Sequence, residues 1–329
     1  MYSTAKERIS SLAHGYLLSS AIHAAAELGI ADVLLEKSSQ SAEELAATLR
    51  VDPKSLFRLL RFLVSHQIFS QNPDGTFSLN PESTHLADNH PESIRHALLV
   101  NKGPRWNAFG AIKESILTGR PGFDELNGKT YYEYLANDSE ASRCYNAHMT
   151  TYTQEEDKQV APLLPIENEK ILIDIGGGEG QFLNEVLKIF QGVHGILFDL
   201  ESTISNPKIT LPENRSEILG GDFFKSDLPK ADIYVLKRVL HNWNDEDCIT
   251  ILKNIRRSMS KGSKILIIEG IVPEDTSRHF SKDTDLFLMA LFAGRERTAN
   301  EFRMLSEQAG LTITRILPTN TFLSIIELC

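Results

Sequence analysis

The sequence predicts an α/β protein: a doubly wound, Rossmann-like sheet preceded by a mostly helical N-terminal domain. Three observations carry this. Ile171-Leu-Ile-Asp-Ile-Gly-Gly-Gly-Glu-Gly180 runs from branched apolar residues into a crowd of glycines, and Gln181–Lys188 then places Phe182, Leu183, Val186 and Leu187 on one helical face. Four further short apolar runs follow, several of them ending in an acidic residue. Before residue 100 the apolar spacing is helical except for one short hairpin.

With 329 residues the chain is long enough for two domains and a large core. Hydrophobic residues at 41% and charged residues at 24% are those of an ordinary globular protein. A formal net charge of −10 argues against a non-specific nucleic-acid binder, which needs Lys and Arg in excess. No apolar run reaches the roughly 18 residues of a membrane span. Met1-Tyr-Ser-Thr-Ala-Lys lacks the layout of a secretory signal. Cys144, Cys248 and Cys329 are scattered, with no C-x-x-C, which predicts a reduced cytoplasmic setting and no metal site.

From Glu7 to Ile30, Ile9, Leu12, Ala13, Tyr16, Leu17, Ile22, Ala25 and Leu28 recur at helical spacing, predicting two helices, the second capped by Gly29. Ser41 followed by Glu44 reads as a capping box on a short helix. Pro53 opens the next helix, through Ser65, and Ile68–Ser70 with Thr76–Leu79 make a hairpin around Asn72-Pro-Asp-Gly75. Helix, turn, helix and hairpin spell a winged helix. DNA reading is its familiar use, yet over residues 1–100 acidic residues outnumber basic ones despite Lys54, Arg58 and Arg61. The apolar first helices favour a dimerisation element instead.

Residues 91–165 read as mostly helical and aromatic-rich, with Trp106, Phe109, Phe123, Tyr131, Tyr132, Tyr134, Tyr145 and Tyr152, broken at Gly119-Arg-Pro-Gly122. Most of these pack as core, and some are placed to line an apolar pocket for a flat ligand. Asn168 and its neighbours are expected to link into the sheet. The predicted domains are 1–100 and 101–329, the latter including a connector over 101–165.

After the glycine turn, Gly195–Leu200 is expected as a strand presenting Asp199, Ser216–Phe224 as one ending at Asp222, Ala231–Leu236 as one running into Lys237–Glu246, and Lys264–Gly270 as one carrying Glu269. A helix runs from Asp245 to Met259, stopped by Gly262. Another runs from Thr298 to Ala309, and Leu311–Leu317 pairs with Phe322–Leu328. The glycines at 176, 178 and 180 give G-x-G-x-G, while Gln181 stands where the dinucleotide fingerprint wants Gly or Ala. The glycines, Asp199, Asp222, Lys237–His241 and Glu269 all fall at the C-terminal ends of strands, where open α/β sheets bind ligands.

Asp174-Ile-Gly-Gly-Gly-Glu-Gly, Phe198-Asp-Leu, Gly220-Gly-Asp-Phe-Phe, Leu240-His-Asn-Trp-Asn-Asp-Glu and Gly294-Arg-Glu-Arg-Thr occur in one order. Together they resemble the S-adenosylmethionine-dependent O-methyltransferases of the caffeic acid and acetylserotonin type, and bacterial natural-product members in particular. The resemblance spans nearly the whole chain. It implies a class I methyltransferase fold, a homodimer built through the winged-helix domain, a small aromatic acceptor, and S-adenosylmethionine converted to S-adenosylhomocysteine. It implies a cofactor set of Asp174, Gly176, Gly178, Asp199, Leu200, Asp222, Phe223 and Lys237. Asp199 is to hold the ribose, and Asp222 and Phe223 the adenine region.

The resemblance further makes His241 the catalytic base and Glu269 and Glu296 its flanking acids. A histidine suits removal of a phenolic proton near neutral pH, and a carboxylate on the imidazole fixes its tautomer and stabilises the imidazolium. Tyr145, Met149 and Met289 fall where the family contacts the acceptor, thioethers being soft partners for flat rings. Nucleic acid, membrane and metal are not expected partners. Methylation of nitrogen by a diverged relative, or a ligand-sensing winged-helix regulator, are the competing readings. Family members without the histidine have acceptors that need no base, so His241 speaks for a hydroxyl.

Overall fold

The computed structural model describes residues 4–166, 170–204 and 209–329. The expected link around Asn168 lies outside the described residues, as does the side chain of Tyr152. The chain divides into two compact units, residues 1–102 with 143–148, and residues 103–142 with 149–329.

In the first unit, α1 (Ala5–Ala13) opens with a Thr4–Glu7 capping box, and α2 (Gly15–Leu28) ends at Gly29 in the left-handed conformation. A further helix, α3 (Ile30–Lys37), starts directly from Gly29. The periodicity did not separate this helix, because the chain turns through a single residue, and it gave no sign of the strand Ser39–Gln40 or the helix Pro81–Thr84 either. Then come β1 (Ser39–Gln40), α4 (Ala42–Leu49), α5 (Pro53–Ser65), β2 (Ser70–Gln71), β3 (Phe77–Ser78), α6 (Pro81–Thr84) and α7 (Arg95–Val100). The reciprocal Ser41–Glu44 bonds cap α4, and Asp52 caps α5 ahead of Pro53. The small sheet has the order β1-β3-β2. Ile30, Leu34, Leu45, Leu60, Leu63, Phe69 and Phe77 form its core. By contrast α1 buries nothing, and Ile9, Leu12, Tyr16 and Leu17 are exposed.

The second unit begins with α8 (Gly103–Gly110), α9 (Ile112–Thr118), α10 (Gly122–Asn127), α11 (Tyr131–Asn137) and α12 (Ser139–Val160), the last of which also carries residues 143–148 of the first unit. The sheet follows: β4 (Ile171–Ile175), α13 (Gln181–Ile189), β5 (His194–Asp199), α14 (Glu201–Ile204), β6 (Ser216–Gly220) and β7 (Ile233–Lys237). Then come α15 (Asp245–Ser258), β8 (Lys264–Gly270), α16 (Phe280–Leu291), α17 (Ala299–Gln308), β9 (Ile313–Pro318) and β10 (Leu323–Leu328). Seven strands take the order β6-β5-β4-β7-β8-β10-β9. The first five are parallel, and β10 inserts antiparallel between β8 and β9. The order reverses between β4 and β7, so the crevice lies above their C-terminal ends. Alternate residues of the central strands face two cores: Ile173, Ile175, Tyr234 and Leu236 pack with α15 and α17, and Leu172, Ile233 and Val235 pack with α13. Among the described residues no single helix is long and apolar enough to cross a membrane.

Several boundaries shift from the sequence reading, most by one or two residues, and two of the shifts have a clear cause. The third strand stops at Gly220, and Asp222 lies beyond it in a tight loop where its own N–H donates to Ser226 Oγ. Helix α15 ends at Ser258 because Met259 is extended; Gly262, with φ of 92°, instead serves the turn into β8.

Candidate active site

The glycine turn joins β4 to α13. Gly176, Gly178 and Gly180 all have positive φ, which residues with a Cβ rarely adopt. The turn is tied to the next strand, since Gly178 N–H donates to Asp199 Oδ2 at 2.8 Å and Leu200 N–H to Asp199 Oδ1 at 2.7 Å. Burial nevertheless pushes the Asp199 carboxyl upward against these bonds. A Cβ built on Gly176 would stand 3.7 Å from the Phe223 ring, which brings Phe223 against the turn. Phe223 and Phe224 pack edge-on to Trp243 at 5.9 and 4.8 Å, and Tyr132 stacks on Trp243 at 6.1 Å.

Two members of the predicted cofactor set have their charges engaged elsewhere. Asp222 accepts from Phe224 N–H and pairs with Lys225 at 2.9 Å; burial opposes its charged form, and the Lys225 bond holds the carboxyl below its ordinary value all the same. Lys237, almost fully buried, lies 2.9 Å from Glu156 and 2.7 Å from Asp157 of α12. Glu156 and Asp157 carried no sequence signal, because an acidic stretch on a helix reads as a solvated face.

Beyond β7 the chain makes one turn of 3-10 helix at Leu240–Asn242 and places His241, 5% exposed, over β8. His241 Nδ1 lies 3.2 Å from Glu296 Oε1 and 3.5 Å from Glu269 Oε2, and His241 N–H donates to Glu269 Oε1 at 3.3 Å. Sequence reading grouped these three residues, and the fold brings them together. Burial drives the Glu269 carboxyl up. At Glu296 burial pulls the same way, but the hydrogen bond and charge of His241 prevail and hold it down. Glu296 N–H in turn donates to Asp285 of α16 at 3.0 Å. Two carboxylates facing Nδ1 make it the protonated nitrogen and leave the lone pair on Nε2.

Two residues that fix this geometry were not read from the sequence as such. Fully buried Arg297 donates to Leu240 O at 3.0 Å, to Trp243 O at 2.8 Å and to Asp245. Gly294 lies so close beneath the turn that a Cβ would fall 2.0 Å from His241 O. Both sit inside Gly294-Arg-Glu-Arg-Thr, a segment singled out for Glu296 alone.

Of the expected acceptor contacts, Tyr145 and Met149 lie on α12 and Met289 on α16, all half-buried, with Tyr145 in the first unit. Phe287 of α16 packs on Phe109 at 5.3 Å, so the connector helices seat α16. A cleft of about 480 Å³ bounded by Arg256, Lys264, Gly310, Glu327 and Cys329 contains none of these residues.

A glycine turn at the switch of the sheet, an acid on the next strand and a histidine between two glutamates define a methyltransferase of the S-adenosylmethionine-binding class. The donor fits what is here: a turn whose Gly176 and Gly177 leave no room for a Cβ, and a crevice rich in carboxyls suited to a sulfonium cation. Residues 109–312 match the O-methyltransferase domain and residues 10–89 the O-methyltransferase dimerisation domain. The chain is 33% identical over 317 residues to phenazine O-methyltransferase of Lysobacter antibioticus, covering 95% of this chain and 93% of that protein. The solved methyltransferase of calicheamicin biosynthesis, in S-adenosylhomocysteine-bound form, is 32% identical with a TM-score of 0.82, over 98% of this chain and 96% of that one. The mitomycin 7-O-methyltransferase structure is 30% identical with a TM-score of 0.91, over 98% and 97%. The chain belongs to the O-methyltransferase family: it is an enzyme that moves a methyl group from S-adenosylmethionine to a hydroxyl of a small aromatic molecule.

Proposed function

We propose that His241 is the general base of this transfer and that Glu269 and Glu296 flank it as charge partners. The single observation that carries this reading is His241 Nδ1 lying 3.2 and 3.5 Å from two buried carboxyls. Bound S-adenosylmethionine supplies an activated methyl and a neutral leaving group. The chain's own task is to align the acceptor, exclude water and take one proton. The proton of the acceptor hydroxyl passes to Nε2 as the oxygen attacks, and the imidazolium that forms is offset by Glu296 and Glu269. An amine acceptor needs no such arrangement, so the buried triad favours oxygen over nitrogen.

The glycine turn, Asp174, Asp199, Leu200, Asp222 and Phe223 are proposed to hold the cofactor, with Lys237 beside them through its pairing with α12. Met149 and Met289 are proposed as soft contacts to a flat ring, and Tyr145 keeps the acceptor contact implied by the resemblance. Two of the relatives are named for the fused-ring compounds phenazine and mitomycin, and a polycyclic phenol is the proposed acceptor class. The first unit is proposed as a winged-helix dimerisation domain ending near residue 100, the protein as a cytoplasmic homodimer, and the chemistry as metal-independent.

The test uses labelled methyl donor with a panel of fused-ring phenols and their amino analogues. Methylated oxygen is expected by mass spectrometry, with the rate lost in His241→Ala. Methylation of the amines alone, or a rate within a few-fold of wild type for the variant, overturns the reading.

A further inference from the structure

Asp285 stands where helix propensity and charge both argue against an acid. It is an interior residue of α16, and aspartate is among the poorer helix formers there. It caps neither α16, which His279 caps, nor α17, which Thr298 caps. The side chain is half-buried, and Glu296 and Glu301 face it with like charge while Arg295 opposes them. The Arg295 guanidinium is itself committed to Asp245 and Glu301. Among the described residues no cation lies within ion-pair distance of Asp285, and its one side-chain bond is from the Glu296 N–H, at 3.0 Å.

That bond falls where regular structure gives the chain no support. Glu296 belongs to neither helix nor strand. The next residue, Arg297, makes an isolated parallel bridge to Ile271, and its carbonyl accepts from Val272 N–H at 2.9 Å. At Glu296 itself the partner is Asp285. From the same residue Oε1 reaches His241 Nδ1 at 3.2 Å. Asp285, Glu296 and His241 therefore form a chain of contacts from α16 to the imidazole. Glu269 needs no such help, because β8 is held between β7 and β10. Met289 follows Asp285 by four residues, so the two lie one above the other on one face of α16. The face that holds Glu296 is thus also the face of the proposed acceptor contact.

We propose that Asp285 is a positioning residue for the base: by holding the Glu296 backbone it sets the Glu296 carboxylate against His241 Nδ1, and it ties that alignment to the helix face carrying Met289. This rests on the reading that His241 is the general base. The role belongs to the oxygen that accepts the Glu296 N–H and not to charge, so an amide serves at this position where a methyl does not.

The experiment is a double-mutant cycle in kcat, measured on the fused-ring phenol of the panel that wild type methylates fastest. Asp285→Ala is expected to lower kcat about 10-fold and to leave the KM for S-adenosylmethionine within about two-fold. Asp285→Asn should recover most of that loss. In a Glu296→Gln background the alanine substitution should cost no more than about two-fold, because the carboxylate it would misplace is already gone. A merely structural role gives an equal loss in both backgrounds. That result, or an asparagine variant as slow as the alanine one, overturns the proposal. Alanine is the better helix former, so α16 itself is not expected to weaken. If that variant does not fold, Asp285→Leu, shaped like asparagine but with no accepting oxygen, takes its place in the cycle. His241→Ala separates the underlying reading. If it keeps the wild-type rate, the base assignment falls and the proposal with it. If it is slow while Asp285→Ala is as fast as wild type, the proposal alone falls.

Discussion

Buried Arg297 donates from Nε and Nη2 to one carboxylate oxygen of Asp245, at 3.0 and 2.8 Å, while its Nη1 and Nη2 also hold the carbonyls on either side of His241. One guanidinium thereby fixes the turn that aims the histidine. Lysine cannot reproduce this, having a point charge in place of a planar fork. Arg297→Lys is expected to lose about 2–4 kcal/mol of stability, because buried carbonyls are left without donors. It should also lower kcat by roughly 10–100-fold through misplacement of the imidazole. Urea unfolding and steady-state rates on the same preparation check both, and an intact kcat would remove Arg297 from the positioning machinery.

His241→Ala removes the base and leaves the glycine turn untouched. The expected result is a fall in kcat of about 10²–10⁴, with S-adenosylmethionine affinity changed by no more than a few-fold. Single-turnover rates beside a calorimetric Kd separate the two effects. A large loss of cofactor affinity would mean that His241 supports binding instead of proton transfer.

Glu269 and Glu296 share one imidazole but respond oppositely to pH. The Glu269 carboxyl is raised by burial, so its contribution to stability is present at low pH and is lost as pH rises through its folded value. Glu296 is held low by His241, so its contribution is present above the ordinary carboxylate range and is lost as pH falls through its folded value. Glu269→Gln is therefore expected to be more stable than wild type at pH 8, by about 1 kcal/mol, with the gap closing by pH 5. It should still be slower, since the imidazolium loses a charge partner. Denaturation midpoints at the two pH values decide it: a variant less stable at pH 8 contradicts this assignment.

The first unit exposes Ile9, Leu12, Tyr16 and Leu17 along α1 and α2, within or beside the segment matching the dimerisation domain. These are the side chains on which the proposed homodimer packs. Leu12→Glu with Leu17→Glu is expected to convert dimer to monomer by light scattering, at little cost to the unit's own core, because neither residue belongs to it. A wild-type monomer at micromolar concentration would refute the assignment.

Elements with local signals were legible in the sequence. The Ser41–Glu44 box, Pro53 after Asp52 and the glycine turn each encode their geometry within a few residues. So did the triad's members, because each lies in a compact motif. What escaped depends on distance in the chain. The insertion of β10 between β8 and β9 leaves no mark on an apolar run. Lys237 shows its partners only once the fold sets it against α12, some eighty residues earlier in the chain. Arg297 drew no reading of its own in Arg295-Glu-Arg297-Thr, and only its complete burial, with four bonds to the histidine turn and its flank, reveals a structural cation.

His241, Glu269 and Glu296 also place their ligand atoms within 4.8 Å of one another, a spacing that suits a divalent cation as well as a proton. The two uses exclude each other. Zinc bound through Nδ1 and both carboxyls displaces the Nδ1 proton and takes the charges that offset the imidazolium, so the residue can no longer gain a proton productively. Catalysis by proton transfer thus predicts that a chelator leaves the rate unchanged and that added zinc inhibits. The inhibition should weaken as pH falls, because protons compete for the same atoms. Rates measured with chelator, and across a zinc series at pH 6.5 and 8, test this. Loss of activity on chelation, restored by metal, would assign the triad to a metal ion instead of a base.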